Sequence, residues 1–356
     1  MQVTVAAWIG STNLGDELIF AALAGRLRRM GATVTAVSVD PAGTRTAHGV
    51  EATSHTSPDA ARALRQADGV VMGGGGLLQD RTSDLNLPYH LSRLAVVPRA
   101  TPVVGVGLGA GPLLTAPGRM FVRRAVGRFD ALAVRDAHSA DLLEQLGLPR
   151  PRVAADLALS LPSPDVDPAD RLVVALRPWT GTRRRLPVQV RRQASPQWFV
   201  TTIARTLDAA AAATGLGVHF VALDRERDHP VHLEVAGHMT TPVSFARPDL
   251  SSVLAELASG RAVVAMRYHA AIGAVLGGRP VVGIGYDPKV TSLLGELGPG
   301  GHPLAWGTPA ELASLPDHLG RVLGHEARVV EARDRLRERE AVNAEVLEHL
   351  LDLAAR

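Results

Sequence analysis

The chain opens with Val3-Thr4-Val5-Ala6-Ala7-Trp8-Ile9-Gly10-Ser11-Thr12-Asn13-Leu14-Gly15-Asp16-Glu17, an apolar run that ends at a glycine and leads into a segment of different period. From Asp16 to Met30 the apolar residues Leu18, Ile19, Ala22, Leu23, Leu27 and Met30 recur at helical spacing, and Gly31 stops the pattern. This reads as a strand followed by a helix, and the unit repeats. Thr33 to Val39 is a second strand. Gly69 to Met72 is a third, followed by Gly73-Gly74-Gly75-Gly76, and Val103 to Val106 is a fourth. Ala131 to Val134 and Arg152 to Ala154 follow. Strands separated by helical patterns imply βαβ units and a parallel sheet.

The stretch Leu161-Pro162-Ser163-Pro164-Asp165-Val166-Asp167-Pro168 reads as a linker, because its prolines break both periods. A second alternation follows, with strands at Leu172 to Leu176, Gly217 to Leu223, Val243 to Ala246, Ala262 to Met266 and Val281 to Ile284. A charged helical tail closes the chain. The organisation expected is α/β and GT-B-like: two doubly wound, Rossmann-like domains facing across a cleft. Residues 1–162 form the first domain, 163–170 the linker, 171–324 the second domain and 325–356 the tail. The length, 356 residues, suits two domains of about 150 residues each.

Composition narrows the function. A hydrophobic fraction of 46% is that of a globular chain. The net charge is only +3, which argues against nucleic acid as a partner. There is no cysteine, so disulfides, zinc-thiolate sites and thiol nucleophiles are excluded. No apolar stretch reaches the roughly 18 residues that span a bilayer, and the N-terminus does not read as a signal peptide. The expectation is a cytoplasmic protein, with any membrane contact peripheral. Arg183-Arg184-Arg185 and Arg191-Arg192 are basic enough to meet an anionic surface, although arginine runs are usually solvated faces.

In doubly wound sheets, ligands bind beyond the carboxyl ends of the strands. Asn13 and Asp16 lie in the turn after the first strand and suit sugar hydroxyls, or alternatively cap the helix that follows. Gly75 and Gly76 let backbone approach a ligand, and Asp80 beyond them reads as a base or as another helix cap. No Gly-Lys-Ser/Thr completes a phosphate loop. Arg135-Asp136 and Asp156 read as structural pairs or caps.

The second half carries cations at three strand ends: Arg177, then Arg267 with His269 two residues on, then Lys289, the sole lysine. Arginine grips carboxylate or phosphate through a bidentate fork. Histidine holds or delivers a proton near neutral pH. Each also has a bland reading as an internal ion pair or a buried histidine. The cluster Asp224-Arg225-Glu226-Arg227-Asp228-His229 has metal-ligand residue types without metal-ligand spacing, and reads as a solvated loop; no metal is expected.

Taken in order, Asn13-Leu14-Gly15-Asp16-Glu17, the Gly73–Gly76 run, Arg135-Asp136, Arg267-Tyr268-His269 and Tyr286-Asp287-Pro288-Lys289-Val290 resemble the polysaccharide pyruvyl transferases, in particular the bacterial CsaB-like members that act on cell-wall sugars. The resemblance implies phosphoenolpyruvate as donor, a sugar acceptor that is often lipid-linked, and no metal or organic cofactor. It places donor binding on Arg267 and His269, and less directly on Arg177. The chemistry fits: phosphoenolpyruvate presents a phosphate and a carboxylate to Arg177, Arg267 and Lys289. Ketal formation needs a general acid, for which His269 is the candidate, and a base, for which Asp16 and Asp80 are candidates. Asn13, Gly75 and Gly76 would line the acceptor side. Two rivals stand beside this reading: a glycosyltransferase using a nucleotide sugar, and a non-catalytic sugar- or anion-binding module.

Overall fold

Parallel strands covered on both faces are built from continuous apolar runs, and the runs quoted above form two such sheets in the computed structural model of the chain. The structure describes residues 1–81, 83, 85–178, 197–285, 288–305 and 308–356. Trp179, the arginine runs at 183–185 and 191–192, and Tyr286-Asp287 lie outside the described residues.

The first sheet contains β1 (Gln2–Ala6), β2 (Thr33–Ser38), β3 (Glu51–Ser54), β4 (Gly69–Leu78), β5 (Val103–Ala110), β6 (Ala131–Val134) and β7 (Arg152–Val153). Their order is β3-β2-β1-β4-β5-β6-β7, and every pairing is parallel. The second sheet contains β8 (Ala169–Ala175), β9 (Gly217–Val221), β10 (Val243–Ala246), β11 (Gly260–Ala265), β12 (Val281–Ile284) and β13 (Gly301–Leu304). Its order is β10-β9-β8-β11-β12-β13, again all parallel. In both, the chain reverses its direction of winding beside the first strand, which is the doubly wound pattern.

Two features differ from the sequence expectation. The Gly73–Gly76 run does not follow the third strand but lies inside β4, whose ladder with β5 shifts register between Gly75 and Leu78. Gly74 and Gly75 have φ of 59° and 82°, which side-chain-bearing residues rarely adopt. The division into two compact units also departs from a simple halving. Unit 1 is Met1–Ser11, Asp16–Leu161 and Leu336–Arg356; unit 2 is Thr12–Gly15 and Pro162–Arg335. The tail is thus no separate element. Val346, Leu347 and Leu350 belong to the apolar core of unit 1, and Asn343 is fully buried there. Its Oδ1 accepts from Gly107 N at 2.8 Å and its Nδ2 donates to Ala155 O at 3.0 Å.

Among the described residues no helix is long and apolar enough to cross a membrane.

Candidate active site

In unit 2 the site starts where β11 ends. Arg267 takes an extended conformation at the N-cap of the helix Tyr268–Leu276, so the first turn of that helix carries Tyr268 and His269 and leaves backbone N–H groups at its open end. Tyr268 is packed away at 8% exposure, as its apolar ring requires. Lys289, in the first turn of the helix Pro288–Glu296, places its ammonium 5.8 Å from the Tyr268 ring centroid. Arg177 leaves the end of β8, which pairs directly with β11, so the two arginines emerge from neighbouring strands.

The Thr12–Gly15 segment is part of this same unit. Leu14 N donates to Leu223 O at 2.9 Å, and Asn13 forms an antiparallel bridge with Asp224. Asn13 Oδ1 accepts from Gly15 N at 3.2 Å, a local turn that presents the Gly15 backbone to His269. The fit is close: a Cβ on Gly15 would stand 2.2 Å from His269 Nδ1. Only glycine leaves the imidazole in that position.

Arg267 is more engaged than its sequence position suggests. Its Nε donates to Asp228 Oδ2 at 3.0 Å, and its Nη2 pairs with Asp228 Oδ1. Nη2 also stands 3.8 Å from Asp224 Oδ2. Asp228 is 0% exposed and Asp224 2%. Burial pushes the Asp228 carboxyl above its usual range, and the Arg267 charge opposes that rise. The expectation that this arginine simply grips an external anion is therefore corrected: one edge of its fork is held inside the protein. The solvated-loop reading of the Asp224–His229 cluster is overturned at the same residues, since Asp224, Asp228 and nearby His232 are all buried, while Arg225, Glu226 and Arg227 are exposed. The signal that could have found the two aspartates is their i, i+4 spacing after a strand, opposite a strand-end arginine.

His232 sits behind this group. Its Nε2 is 3.2 Å from both the nitrogen and the oxygen of Leu176, and its ring stacks on Phe220 at 5.0 Å. Burial lowers its pKa to about 3. It thus stays neutral and fixes the end of β8 just before Arg177.

In unit 1, Asp16 lies in the first turn of the helix Leu14–Arg29 and lines a small cavity with Ala7, Trp8, Gly73 and Gly74. The glycines divide by role. A Cβ on Gly73 would stand 2.3 Å from Leu23 Cδ2, and one on Gly74 would stand 2.0 Å from Ile19 Cγ2. These two let the strand and helix pack. Around Gly75 and Gly76 the nearest atoms are Asp16 Oδ1 at 3.8 Å and Arg135 Nη2 at 3.9 Å, so only this pair has room beside it. Glu17 holds the preceding turn, accepting from Gly10 N at 2.8 Å and Ser11 N at 3.0 Å and pairing with His48 Nε2 at 2.9 Å.

Asp80 has a different task from the base expected of it. It is 3% exposed. Oδ1 accepts from Leu114 N at 2.7 Å, and Oδ2 accepts from Thr115 N at 2.8 Å and Thr115 Oγ1 at 2.6 Å. Both oxygens are spent on the loop before the helix Ala116–Val126. Arg135 is structural, as its neighbours suggest: it is 5% exposed, with Asp136 Oδ2 at 3.4 Å and Asp156 Oδ2 at 3.8 Å. Asp136 also caps the helix Ala137–Gln145 through Ser139 N. Among the described residues no group of three or more His, Cys, Asp or Glu is placed to hold a metal.

The family model for polysaccharide pyruvyl transferase matches residues 13–288, from the Asn13 turn to the start of the Lys289 helix. The chain belongs to the polysaccharide pyruvyl transferase family. That family is one of transferases, and the matched span contains the turn and the Arg267-Tyr268-His269 segment described above. No curated protein sequence matches the chain. Among solved structures, it is similar to S. aureus MnaA in complex with UDP (TM-score 0.65, 10% identity, covering 100% of this chain and 98% of that one). It is also similar to UDP-GlcNAc 2-epimerase from Neisseria meningitidis bound to UDP-GlcNAc (0.61, 12%, 98% and 100%) and to the glycosyltransferase SnogD from Streptomyces nogalater (0.58, 16%, 98% and 99%). At these identities the likeness establishes the GT-B-like α/β fold class alone.

Proposed function

We propose that the protein transfers a pyruvyl group from phosphoenolpyruvate to a sugar of a cell-surface polysaccharide or its precursor, forming a cyclic ketal and releasing phosphate. The observation that carries this reading is the seating of His269 on Gly15, at the N-terminus of a helix and between strand-end cations. Such a place suits an anion and a proton donor together.

Arg177 and Lys289 supply the charge for phosphate and carboxylate, and the helix N-terminus adds backbone donors. Arg267, steadied by Asp228, orients the donor rather than supplying net charge. His269 gives its proton to the methylene carbon of phosphoenolpyruvate, which leaves an oxocarbenium-like carbon bearing the phosphate. One sugar hydroxyl adds to that carbon and its proton goes to Asp16. The carbon–oxygen bond to phosphate breaks, a second hydroxyl adds to the same carbon to close the ring, and its proton leaves with the phosphate. The balance is phosphoenolpyruvate plus a diol giving a ketal plus phosphate, with no metal or organic cofactor needed. The acceptor is a saccharide, free or lipid-linked, and the site of action is the cytoplasm, peripheral to the membrane where the acceptor is lipid-linked.

His269→Ala tests the assignment. Phosphoenolpyruvate binding should persist while turnover falls at least about a hundredfold, the usual share of general acid catalysis. Undiminished turnover would refute it.

A further inference from the structure

Trp8 stands just past the carboxyl end of β1 and is 38% exposed, although it has four ring or cation groups arrayed behind it. Tyr89 meets the indole edge-on at 5.6 Å and 68°, and His90 meets it at 6.0 Å and 77°. Tyr89 in turn packs edge-on against His90 at 4.9 Å and against His55 at 5.5 Å. Arg93, only 9% exposed, lies 4.4 Å from the Tyr89 ring centroid and donates from Nη1 to Ala7 O at 3.2 Å, which ties the cluster to the residue before Trp8. Burial keeps His90 neutral, with its pKa lowered to about 3. The indole is thus a rigid apolar plate, braced from behind and open to solvent.

Trp8 and Asp16 meet at one small pocket, which the buried side chains of Ile19, Phe20 and Leu23 close. A braced, partly exposed aromatic plate with a carboxylate beside it matches a pyranose ring stacked on the solvent side of the indole. The axial C–H groups of a sugar pack on an aromatic face, its equatorial hydroxyls donate to carboxylate, and it carries no charge that the neutral plate would have to meet.

We propose that Trp8 is the stacking platform for a neutral pyranose unit of the acceptor, with Asp16 taking a hydrogen bond from one of its hydroxyls. This rests on the pyruvyl-transfer reading for the identity of the sugar as acceptor, but not for the existence of the sugar subsite. The test is saturation-transfer NMR on the full chain with methyl glucopyranoside, methyl galactopyranoside and methyl mannopyranoside, in wild type, Trp8→Phe and Trp8→Ala, with circular dichroism to verify folding. At least one pyranoside should bind. Trp8→Ala should weaken it about tenfold, the size of one aromatic contact, and Trp8→Phe should stay within about threefold. Phosphoenolpyruvate affinity should be unchanged in both variants. Equal pyranoside binding by Trp8→Ala and wild type overturns the proposal, and so does an absence of transfer to every pyranoside in wild type. Trp8-dependent sugar binding in a protein that leaves phosphoenolpyruvate untouched would keep the subsite and refute the transfer reaction instead.

Discussion

Gly15 and His269 are in backbone-to-ring contact: a methyl group on Gly15 would lie 2.2 Å from the imidazole Nδ1 and 2.7 Å from Cγ. Separations this short force a shift, and the imidazole is the movable partner. Gly15→Ala should therefore rotate His269 off its position without unfolding the chain, since Gly15 is not among the glycines with positive φ. Turnover should fall by about a hundredfold, as small misplacements of a reacting group can cost. Phosphate-release kinetics and a thermal melt check both halves of this expectation.

Asp228→Ala tests the internal pairing of Arg267. Removing a fully buried carboxylate leaves the guanidinium without its bidentate partner, which should cost about 3–5 kcal/mol in urea unfolding. Asp228→Asn keeps one acceptor oxygen and should cost less. Arg267→Lys should not substitute for wild type, because an ammonium cannot span both Asp228 oxygens. Its expected signature is a raised KM for phosphoenolpyruvate.

The C-terminal segment should prove integral to unit 1. Arg26 and Glu340 form a bidentate pair at 2.7 and 2.6 Å, with Glu340 2% exposed. Leu347 is fully buried. Leu347→Ala should destabilise the protein by about 2–5 kcal/mol. Truncation after Arg335 should yield insoluble protein, read by size-exclusion chromatography.

How much of this was legible beforehand follows from where the information resides. Central strands were readable because both faces are covered, so Leu172 to Leu176 is apolar throughout. The strands β3 and β13 were not: Glu51-Ala52-Thr53-Ser54 and Gly301-His302-Pro303-Leu304 lie at sheet edges, where polar residues and proline are tolerated. Strand-end logic singled out Asn13, Asp16, Arg267 and His269 as candidates. It could not find Asp224 and Asp228, because their burial depends on an arginine some forty positions on, and charge after a strand ordinarily means solvent. Nor could it separate Gly73 and Gly74, which face Leu23 and Ile19, from Gly75 and Gly76, which have space beside them. Asp80 failed as a base for a similar reason, since its partners Leu114 and Thr115 are remote in sequence.

The buried histidines make stability depend on pH. His90 and His232 each have pKa values lowered to about 3, mainly by burial, with Arg93 adding to the effect on His90, and His229 and Arg267 to that on His232. An unfolded histidine titrates near 6.5, so below that pH the unfolded chain binds more protons than the folded one. Stability is thus complete above about pH 6.5 and is lost as pH falls toward about 3, by about 1.4 kcal/mol per unit for each histidine. Asp228 and Glu340 act in the opposite sense: burial raises both, so the folded state gains from their protonation as pH falls. His232→Gln isolates one histidine. The stability advantage of wild type over this variant should shrink by about 2 kcal/mol between pH 7 and pH 5, measured by urea unfolding. An advantage that stays constant with pH would contradict the buried, neutral assignment.

Phosphate release from phosphoenolpyruvate is the most direct test of pyruvyl transfer. The purified protein is given phosphoenolpyruvate with a panel of saccharide acceptors and, separately, a panel of nucleotide sugars with the same acceptors. Acceptor-dependent release of phosphate, matched mole for mole by a pyruvate ketal on the sugar seen by NMR, is the predicted result. Release of nucleoside diphosphate from a nucleotide sugar, with phosphoenolpyruvate left intact under every acceptor, would contradict it.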